Sequence, residues 1–383
     1  MSADERPDIP APGDGRRFDG SAAEASADGK APAWWIYRGT GRPLHDIDLR
    51  ALLPPAPPWR RFGGSETQPP PAEDDEDLAR RLGPVDNVRG VPADPREIDA
   101  VNAALYLRRP LLVTGKPGVG KSTLAYRISR ELRLGRVLRW PISSRSTLRS
   151  GLYEYDAIGR AQEAAASRSA GDSPGRPDEG SGIGSYLRLG PLGTALLPYE
   201  LPRVLLIDEL DKSDIDLPND LLDVFEEGEF TIPELVRISS REPTVKVHTA
   251  DPEVRASVRN GHIRCQAFPV IIITSNAERE FPPAFLRRCL QFHLREPDEE
   301  RLASMIAAHF ADRADEHSLE MVYEFLTHRR LHGGLAADQL LNAVYLATSG
   351  AHTAGASWQR ILDLLWQRLD QGQHEGRPEA VAE

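Results

Sequence analysis

Apolar positions along the chain change their rhythm twice. Between about Asp94 and Cys289, short continuous apolar runs alternate with stretches of helical spacing. Asp94-Pro95 reads as an N-cap followed by proline at the first helical position, with Ile98, Val101 and Leu105 at helical intervals behind it, so a helix is predicted to about Leu107. Pro110–Thr114 is a short strand that turns through GKPGVGKST into a helix carrying Leu124, Ile128 and Leu132 on one face. Val137–Ile142 is the next predicted strand, Thr147–Ala166 a helical stretch, Val204–Ile207 a buried strand, Leu217–Phe225 a helix, Glu229–Ile232 part of a hairpin and Val270–Thr274 another buried strand. Strands that read as unbroken apolar runs between helices imply a parallel sheet covered on both faces, an α/β architecture. From Glu299 onward the period is helical only, in Glu299–Phe310, Leu319–Thr327, Ala336–Thr348 and Trp358–Leu369, which predicts an all-helical second domain with Trp358, Ile361, Leu362, Leu365, Trp366 and Leu369 in its core.

The first 83 residues have neither rhythm. They hold the proline runs Pro54–Pro58 and Pro69–Pro71 and the acidic block Glu73–Asp77, a composition that buries too little apolar area to offset its ordering entropy. The expectation is a mostly disordered N-terminal segment, 1–83, dispensable for the catalytic parts. One island interrupts it: Trp34-Trp35-Ile36-Tyr37, then Leu44, Ile47, Leu49, Leu52 and Leu53, either a strap on the protein's own core or a docking motif for a partner. The domains expected after it are an α/β domain over 84–294, with a mobile insertion at about 167–185, a helical domain over 295–372 and a tail, 373–383.

Composition narrows the setting. Gly and Pro number 31 and 32 in 383 residues, in keeping with unpacked segments, while 40% apolar content supports a core. No apolar run approaches the roughly 18 residues of a spanning helix, and the opening MSADERPDIPAPGDGRR has no leader-like apolar stretch, so a cytoplasmic, membrane-free protein is expected. A formal net charge of -11 opposes a general phosphate-backbone binder. Arg127, Arg130, Arg133, Arg136 and Arg139 recur every third position, as a nucleic-acid stripe, a solvated surface or a subunit-facing one. Cys265 and Cys289 have no CxxC spacing or clustered His partner, so no metal site is expected of them.

The candidate chemistry is concentrated after three strands. Gly115, Gly120, Lys121 and Ser122 complete G-x-x-x-x-G-K-[ST], and the whole loop Gly115-Lys116-Pro117-Gly118-Val119-Gly120-Lys121-Ser122-Thr123 sits where strand passes into helix. Its backbone N–H groups would cradle a β-phosphate, Lys121 would reach the β and γ oxygens, and the Ser122 hydroxyl would ligate Mg²⁺. Val204–Ile207 ends in Asp208 and Glu209, one to position Mg²⁺ and the other to polarise an attacking water. Ile271-Ile272-Ile273-Thr274-Ser275-Asn276 puts an amide at a third strand end, and Pro282–Cys289 starts a short helix ending in Arg287 and Arg288, either of which could serve a neighbouring site.

In this order, GKPGVGKS, VLLIDE, IIITSN and AFLRRC ahead of a helical domain resemble the AAA+ ATPases, over about Val85 to Gln371. The Glu226-Glu227-Gly228 turn with Phe230-Thr231-Ile232-Pro233 looks most like the MoxR branch. The resemblance implies a P-loop NTPase fold with a helical lid, ATP and Mg²⁺ as cofactors, Asn276 as sensor 1, and Arg287 or Arg288 as arginine finger. It implies a ring-forming homo-oligomer that remodels a protein client, which could carry a von Willebrand A domain. One departure stands out: lids of this superfamily commonly begin a helix with a basic residue, and Leu331–Asp338 offers none, with Arg329 and Arg330 just upstream, so no sensor 2 is assigned. Two other readings stay open, a nucleic-acid-directed motor of a defence or restriction system and a nucleotide-gated scaffold with slow turnover.

Overall fold

The computed structural model describes residues 32–44, 48–87, 93–169, 182–310, 316–332, 335–349 and 356–366. The chain divides into Met1–Trp34 and Trp35–Glu383, and the architecture below is that of the second unit.

Its strands are β1 (Leu111–Thr114), β2 (Leu138–Pro141), β3 (Tyr153–Tyr155), β4 (Leu187–Leu189), β5 (Val204–Asp208), β6 (Glu229–Thr231), β7 (Thr244–His248), β8 (Arg255–Arg259), β9 (His262–Arg264), β10 (Val270–Ser275) and β11 (Leu290–His293). Five of them form a parallel sheet in the order β11-β1-β10-β5-β2. Side chains alternate across a strand, so each apolar run feeds two cores. Val204 and Leu206 enter the layer that holds Leu124 and Ile128 of the helix Thr123–Leu132, while Leu205 and Ile207 enter the layer built with Leu217, Leu221 and Phe225 of the helix Leu217–Glu227. This is the expected sheet, covered on both faces. The order also puts β1, β10 and β5 side by side, and their carboxyl ends carry the phosphate loop, Asn276 and the Asp208-Glu209 pair.

A second, six-stranded sheet, β3-β4-β7-β8-β9-β6, is larger than the single hairpin expected from Glu229–Ile232. The predicted helix over Thr147–Ala166 is broken as well, into helix Leu148–Leu152, strand β3 and helix Ala157–Ser169. Tyr153 points into the core and β3 pairs with β4, a partner that lies beyond the 170–181 stretch and so left no local signal. Most of the insertion expected to be mobile, about 167–185, lies outside the described residues, but its end does not: Ile183 and Gly184 are buried in a short 3₁₀ turn leading into β4.

The lid helices are Glu299–Phe310, Glu316–His332, Ala337–Thr348 and Ala356–Leu365, packed around Phe325, Leu340, Val344, Leu362 and Trp366. Leu369 and the tail lie outside the described residues.

The largest departure concerns the N-terminal segment. Residues 1–31 and 45–47 are not described; the island at 35–44 and 48–53 packs on the α/β domain, as the first of its two readings has it, and 54–83, expected to be mostly disordered, pack there too. Ile36, Tyr37 and Leu49 are buried in its core. The strap supplies few apolar residues, yet the domain supplies its polar partners. Asn102 takes the Ile36 and Tyr37 N–H groups at 2.8 and 3.0 Å and returns a bond to the Tyr37 carbonyl at 2.7 Å. The Glu131 carboxylate accepts from the N–H groups of Gly39, Thr40 and Gly41 at 3.1, 2.6 and 3.2 Å, from that of Arg38, and from the Thr40 hydroxyl at 3.0 Å. Gly39 and Gly41 both have φ of +69°, which lets successive amides converge on one anion.

The acidic block becomes the start of helix Asp75–Leu82, capped by Asp74, and it meets the arginine run. Glu73 pairs with Arg133 at 3.1 Å and Asp74 with Arg136 at 3.4 Å, while Arg130 donates to the carbonyls of Leu78 and Gly83 at 2.7 and 2.8 Å. Arg127 pairs with buried Glu97 at 2.7 Å and Arg139 with Asp208 at 2.8 Å. All five arginines are therefore engaged within the chain, and they form no free stripe.

Candidate active site

At the carboxyl end of β1 the phosphate loop leads into the helix Thr123–Leu132. Gly118 has φ of +72°, and a Cβ there would stand 2.1 Å from the Cβ of Ala336 in the lid, so the loop and the lid meet at a spot where only glycine fits. The Ala337 N–H donates to the Gly118 carbonyl at 3.3 Å. Lys121 is nearly buried and donates to the carbonyls of Gly115 and Lys116, each at 2.8 Å, and to Asn276 Oδ1 at 2.7 Å. Burial holds its pKa below the usual lysine value, an effect partly offset by Asp211, Glu209 and Asp208 nearby.

Asp208 at the tip of β5 accepts from Ser122 Oγ at 2.6 Å and from Thr274 Oγ1 at 2.9 Å on one oxygen, and from the Arg139 guanidinium at 3.1 and 2.8 Å on the other. Burial favours its neutral form, but the bonds from Ser122, Arg139 and Thr274 outweigh that and hold the carboxyl below the usual range. Glu209 follows in the left-handed region, φ +63° and ψ +52°, with its N–H bound to Thr274 Oγ1 at 2.8 Å. A non-glycine residue there costs about 1–2 kcal/mol, a strain that turns the glutamate out of the strand line. Its carboxylate pairs with Lys212 at 2.7 Å, and both side chains are partly exposed.

The loop after β10 is tied to the same turn. Asp211 accepts the N–H groups of Asn276 and Glu278 at 2.8 and 3.2 Å, and Arg279 donates to the Ser213 carbonyl at 2.9 Å. Thus two hydrogen-bonded pairs, Lys121 with Asn276 and Ser122 with Asp208, stand side by side because Lys121 and Ser122 are consecutive, and Glu209 follows Asp208 at the strand end.

Arg287 and Arg288 stand apart from these pairs. Arg288 is held by Glu226 at 2.7 Å, whereas the exposed Arg287 side chain has no ion pair among the described residues. Arg329, upstream of the lid helix start, donates to the Pro297 carbonyl at 2.7 Å and lies 5.7 Å over the Phe325 ring. Gly333 and Gly334 are outside the described residues. Lys116 reaches the lid side through Glu296 at 2.5 Å.

Behind the loop a cavity of about 150 Å³ is walled by strap residues Gly39, Thr40 and Gly41, by Arg81, by Gly120 and Thr123, and by Met305 and His309 of the lid. Its floor is an ionic node: Glu97, fully buried, bonds Arg127, Arg301 of the lid at 3.0 Å and the Tyr37 hydroxyl at 3.2 Å. Burial would raise the Glu97 pKa, but the two arginines bring it below its ordinary value. Sequence reasoning missed Arg139, Thr274, Asp211, Glu97, Glu131 and the strap wall. Of these, only Arg139 and Asp211 carried a local signal, one in the arginine run and the other two positions past Glu209.

The sheet order, the strand-loop-helix entry and the convergence of three strand ends make this the α/β fold of the P-loop nucleoside triphosphatases, followed by a helical C-terminal region. Residues 110–289 match the family profile of the AAA domain (dynein-related subfamily), which implies nucleotide binding. A comparison with curated proteins returns no match. No helix among the described residues is long and apolar enough to cross a membrane.

The oxygens of Ser122 and Asp208 are a hard donor pair that suits Mg²⁺, an ion that keeps several waters and completes its shell with substrate phosphates. Among the described residues no group of three or more His, Cys, Asp and Glu is placed to hold a metal ion. Cys265 and Cys289 are buried, and burial pushes both thiols up to about 12.

Proposed function

We propose that this protein hydrolyses ATP as an AAA+ machine of MoxR-like type, assembling head to tail into a ring that remodels a protein client. The observation that carries the hydrolytic reading is the pairing of Lys121 with Asn276 and of its chain neighbour Ser122 with Asp208, between residues up to 155 positions apart and at one edge of one sheet. Such an arrangement presents a cation, a hydroxyl and two strand-end polar groups to whatever lies on the phosphate loop.

In the proposed mechanism the cavity behind the loop takes the nucleobase, with the strap as one wall, and the loop amides take the β-phosphate. Lys121 exchanges its carbonyl partners and Asn276 for β and γ oxygens. Ser122 and Asp208 would hold Mg²⁺, whose chemistry there would be charge neutralisation at the phosphates. Glu209 leaves Lys212 to accept the proton of the attacking water, and Asn276, released from Lys121, orients that water. Arg287 of a neighbouring copy faces the γ-phosphate, because its exposed side chain has no ion pair among the described residues, while Arg288 stays with Glu226.

The MoxR-like reading is supported by the strands β6 to β9 inserted between β5 and β10, together with the Glu226–Pro233 stretch. A client with a von Willebrand A domain is the partner that this resemblance suggests. The arginine run, engaged by Glu97, Glu73, Asp74 and Asp208, gives a nucleic-acid motor no support. The client is tested by capture on Glu209→Gln with ATP: a protein retained with ATP and released on its removal supports the reading, and retention of nucleic acid in its place refutes it.

A further inference from the structure

Two exposed apolar side chains stand at opposite ends of the helix Leu217–Glu227, one between Asp214 and Asp216 and the other beside Arg61, at an end where Glu226 is paired with Arg288 and Glu227 is exposed. Just before its first turn, Ile215 is 64% exposed between Asp214 and Asp216, both exposed. At its far end the strap presents Trp59, 74% exposed, beside exposed Arg61. Trp59 is held there because its neighbour Arg60 is buried and donates to the Phe225 carbonyl. Arg287 belongs to this end too. Arg288 binds Glu226 at 2.7 Å, and Arg109 donates to the Arg287 carbonyl at 3.3 Å.

Among the described residues no ion pair engages Asp214, Asp216 or Arg287. The helix has 11 residues, so its ends lie about 16 Å apart at 1.5 Å per residue, too far for one knob to cover the other within a chain. The Ile215 segment is also fastened to the site, since Arg279 donates to the Ser213 and Asp214 carbonyls at 2.9 and 3.3 Å and follows Asn276 by three residues.

We propose that these knobs are the two halves of one contact between successive copies of the chain. Trp59 of one copy packs on Ile215 of the next, and Arg61 faces Asp214 and Asp216. The inference rests on the head-to-tail assembly proposed above and names its contact. Charge complementarity selects the occupant: an acidic client would answer Trp59 and Arg61 but leave the acidic, apolar knob at Ile215 uncovered, whereas a second copy covers both. Two different patches on one molecule that fit each other make a heterologous contact, the kind that closes rings. Docking in this sense carries Arg287 toward the segment that follows Glu209 in the next copy, so the contact and the shared active site reinforce each other.

The test is light scattering across a dilution series of full-length Glu209→Gln with ATP and Mg²⁺, alone and combined with Trp59→Ala, Arg61→Glu, or Arg61→Glu together with Asp214→Arg. The parent should assemble. Trp59→Ala and Arg61→Glu should each raise the concentration needed for half-assembly by about tenfold or more, as expected of a central aromatic and its flanking charge, and the charge exchange should recover most of the loss. Nucleotide affinity and thermal midpoint should stay at parental values, since both side chains are exposed. If the parent assembles and the single variants assemble equally well, or the exchange recovers nothing, this contact is overturned while the ring reading stands. A parent that stays monomeric at every concentration overturns both.

Discussion

Replacing Glu131 by glutamine should free the strap from the cavity behind the phosphate loop while the sheet stays folded. In the native chain one buried carboxylate accepts from four consecutive amides, Arg38 to Gly41, and from the Thr40 hydroxyl. Glutamine keeps the shape but turns one acceptor into a donor, which then faces either the Arg38 and Gly39 amides or the Thr40 and Gly41 amides. A fully buried N–H left without an acceptor costs about 1–3 kcal/mol; only the Gly39 amide is fully buried and its neighbours are partly so, which puts the loss for two of them at about 2 kcal/mol. The loss falls on a local unit, because the sheet and its two cores contain no residue of 38–41. Hydrogen exchange should therefore speed up at Arg38–Gly41 by about thirtyfold or more while the β1, β5 and β10 amides stay protected, at about 1.4 kcal/mol for each tenfold. Nucleotide affinity, followed with a fluorescent ADP analogue, should fall by about tenfold or more, because Gly39, Thr40 and Gly41 wall the cavity behind the phosphate loop. Unchanged exchange at 38–41 together with unchanged affinity would refute the account of the strap. Deletion of residues 1–83 should be harsher still, which reverses the expectation drawn from composition alone.

Three further predictions concern the site and its supports. Arg287→Ala should bind nucleotide normally and lose turnover by about 10³-fold, whereas Arg288→Ala, which breaks only the pair with Glu226, should lose far less; steady-state rates beside equilibrium binding separate the two. Arg139→Ala should weaken Mn²⁺ binding to the nucleotide complex by about tenfold, read by paramagnetic resonance, because Arg139 fixes the carboxylate of Asp208 from the side away from Ser122; Arg139→Lys should recover part of it. The lowered pKa values of Glu97 and Asp208 mean that their stabilisation is present above the ordinary carboxylate range of about 4 and is lost as pH falls through the lower folded values. Through these two groups the thermal midpoint should be flat from neutral pH to about 5 and drop below 4, whereas Glu131, whose pKa burial raises, acts with the opposite sign; in Glu131→Gln, where that group is removed, a midpoint that rises on acidification would contradict the reasoning.

The parts of the fold that were legible are those whose signal is local. Val204–Ile207 and Val270–Thr274 read as strands, each one residue short of the observed end, because each residue feeds one of two cores, and Asp94-Pro95 read as a helix start because cap and first turn are adjacent. The phosphate loop was legible for the same reason, its chemistry being carried by consecutive residues. The second sheet was not, since β3 is three residues long and its pairing with β4 spans residues 170–181. Composition left the island open between a strap and a docking motif and made the stretch after it look disordered, because apolar content measures what a segment can bury by itself. Residues 35–44 are instead held by Asn102 and Glu131, and 73–83 by arginines whose regular spacing looked like a surface. A buried acid that waits for backbone amides 90 residues away has no signature in its own neighbourhood.

The measurement that bears most directly on the central claim compares wild type, Lys121→Ala and Glu209→Gln for nucleotide binding and phosphate release in the same preparations. The account predicts that wild type hydrolyses ATP with Mg²⁺, that Lys121→Ala loses tight binding and turnover together, and that Glu209→Gln binds within a few-fold of wild type while turnover falls by about 10²-fold or more. Turnover that survives in Glu209→Gln, or equal loss of binding in both variants, would contradict it.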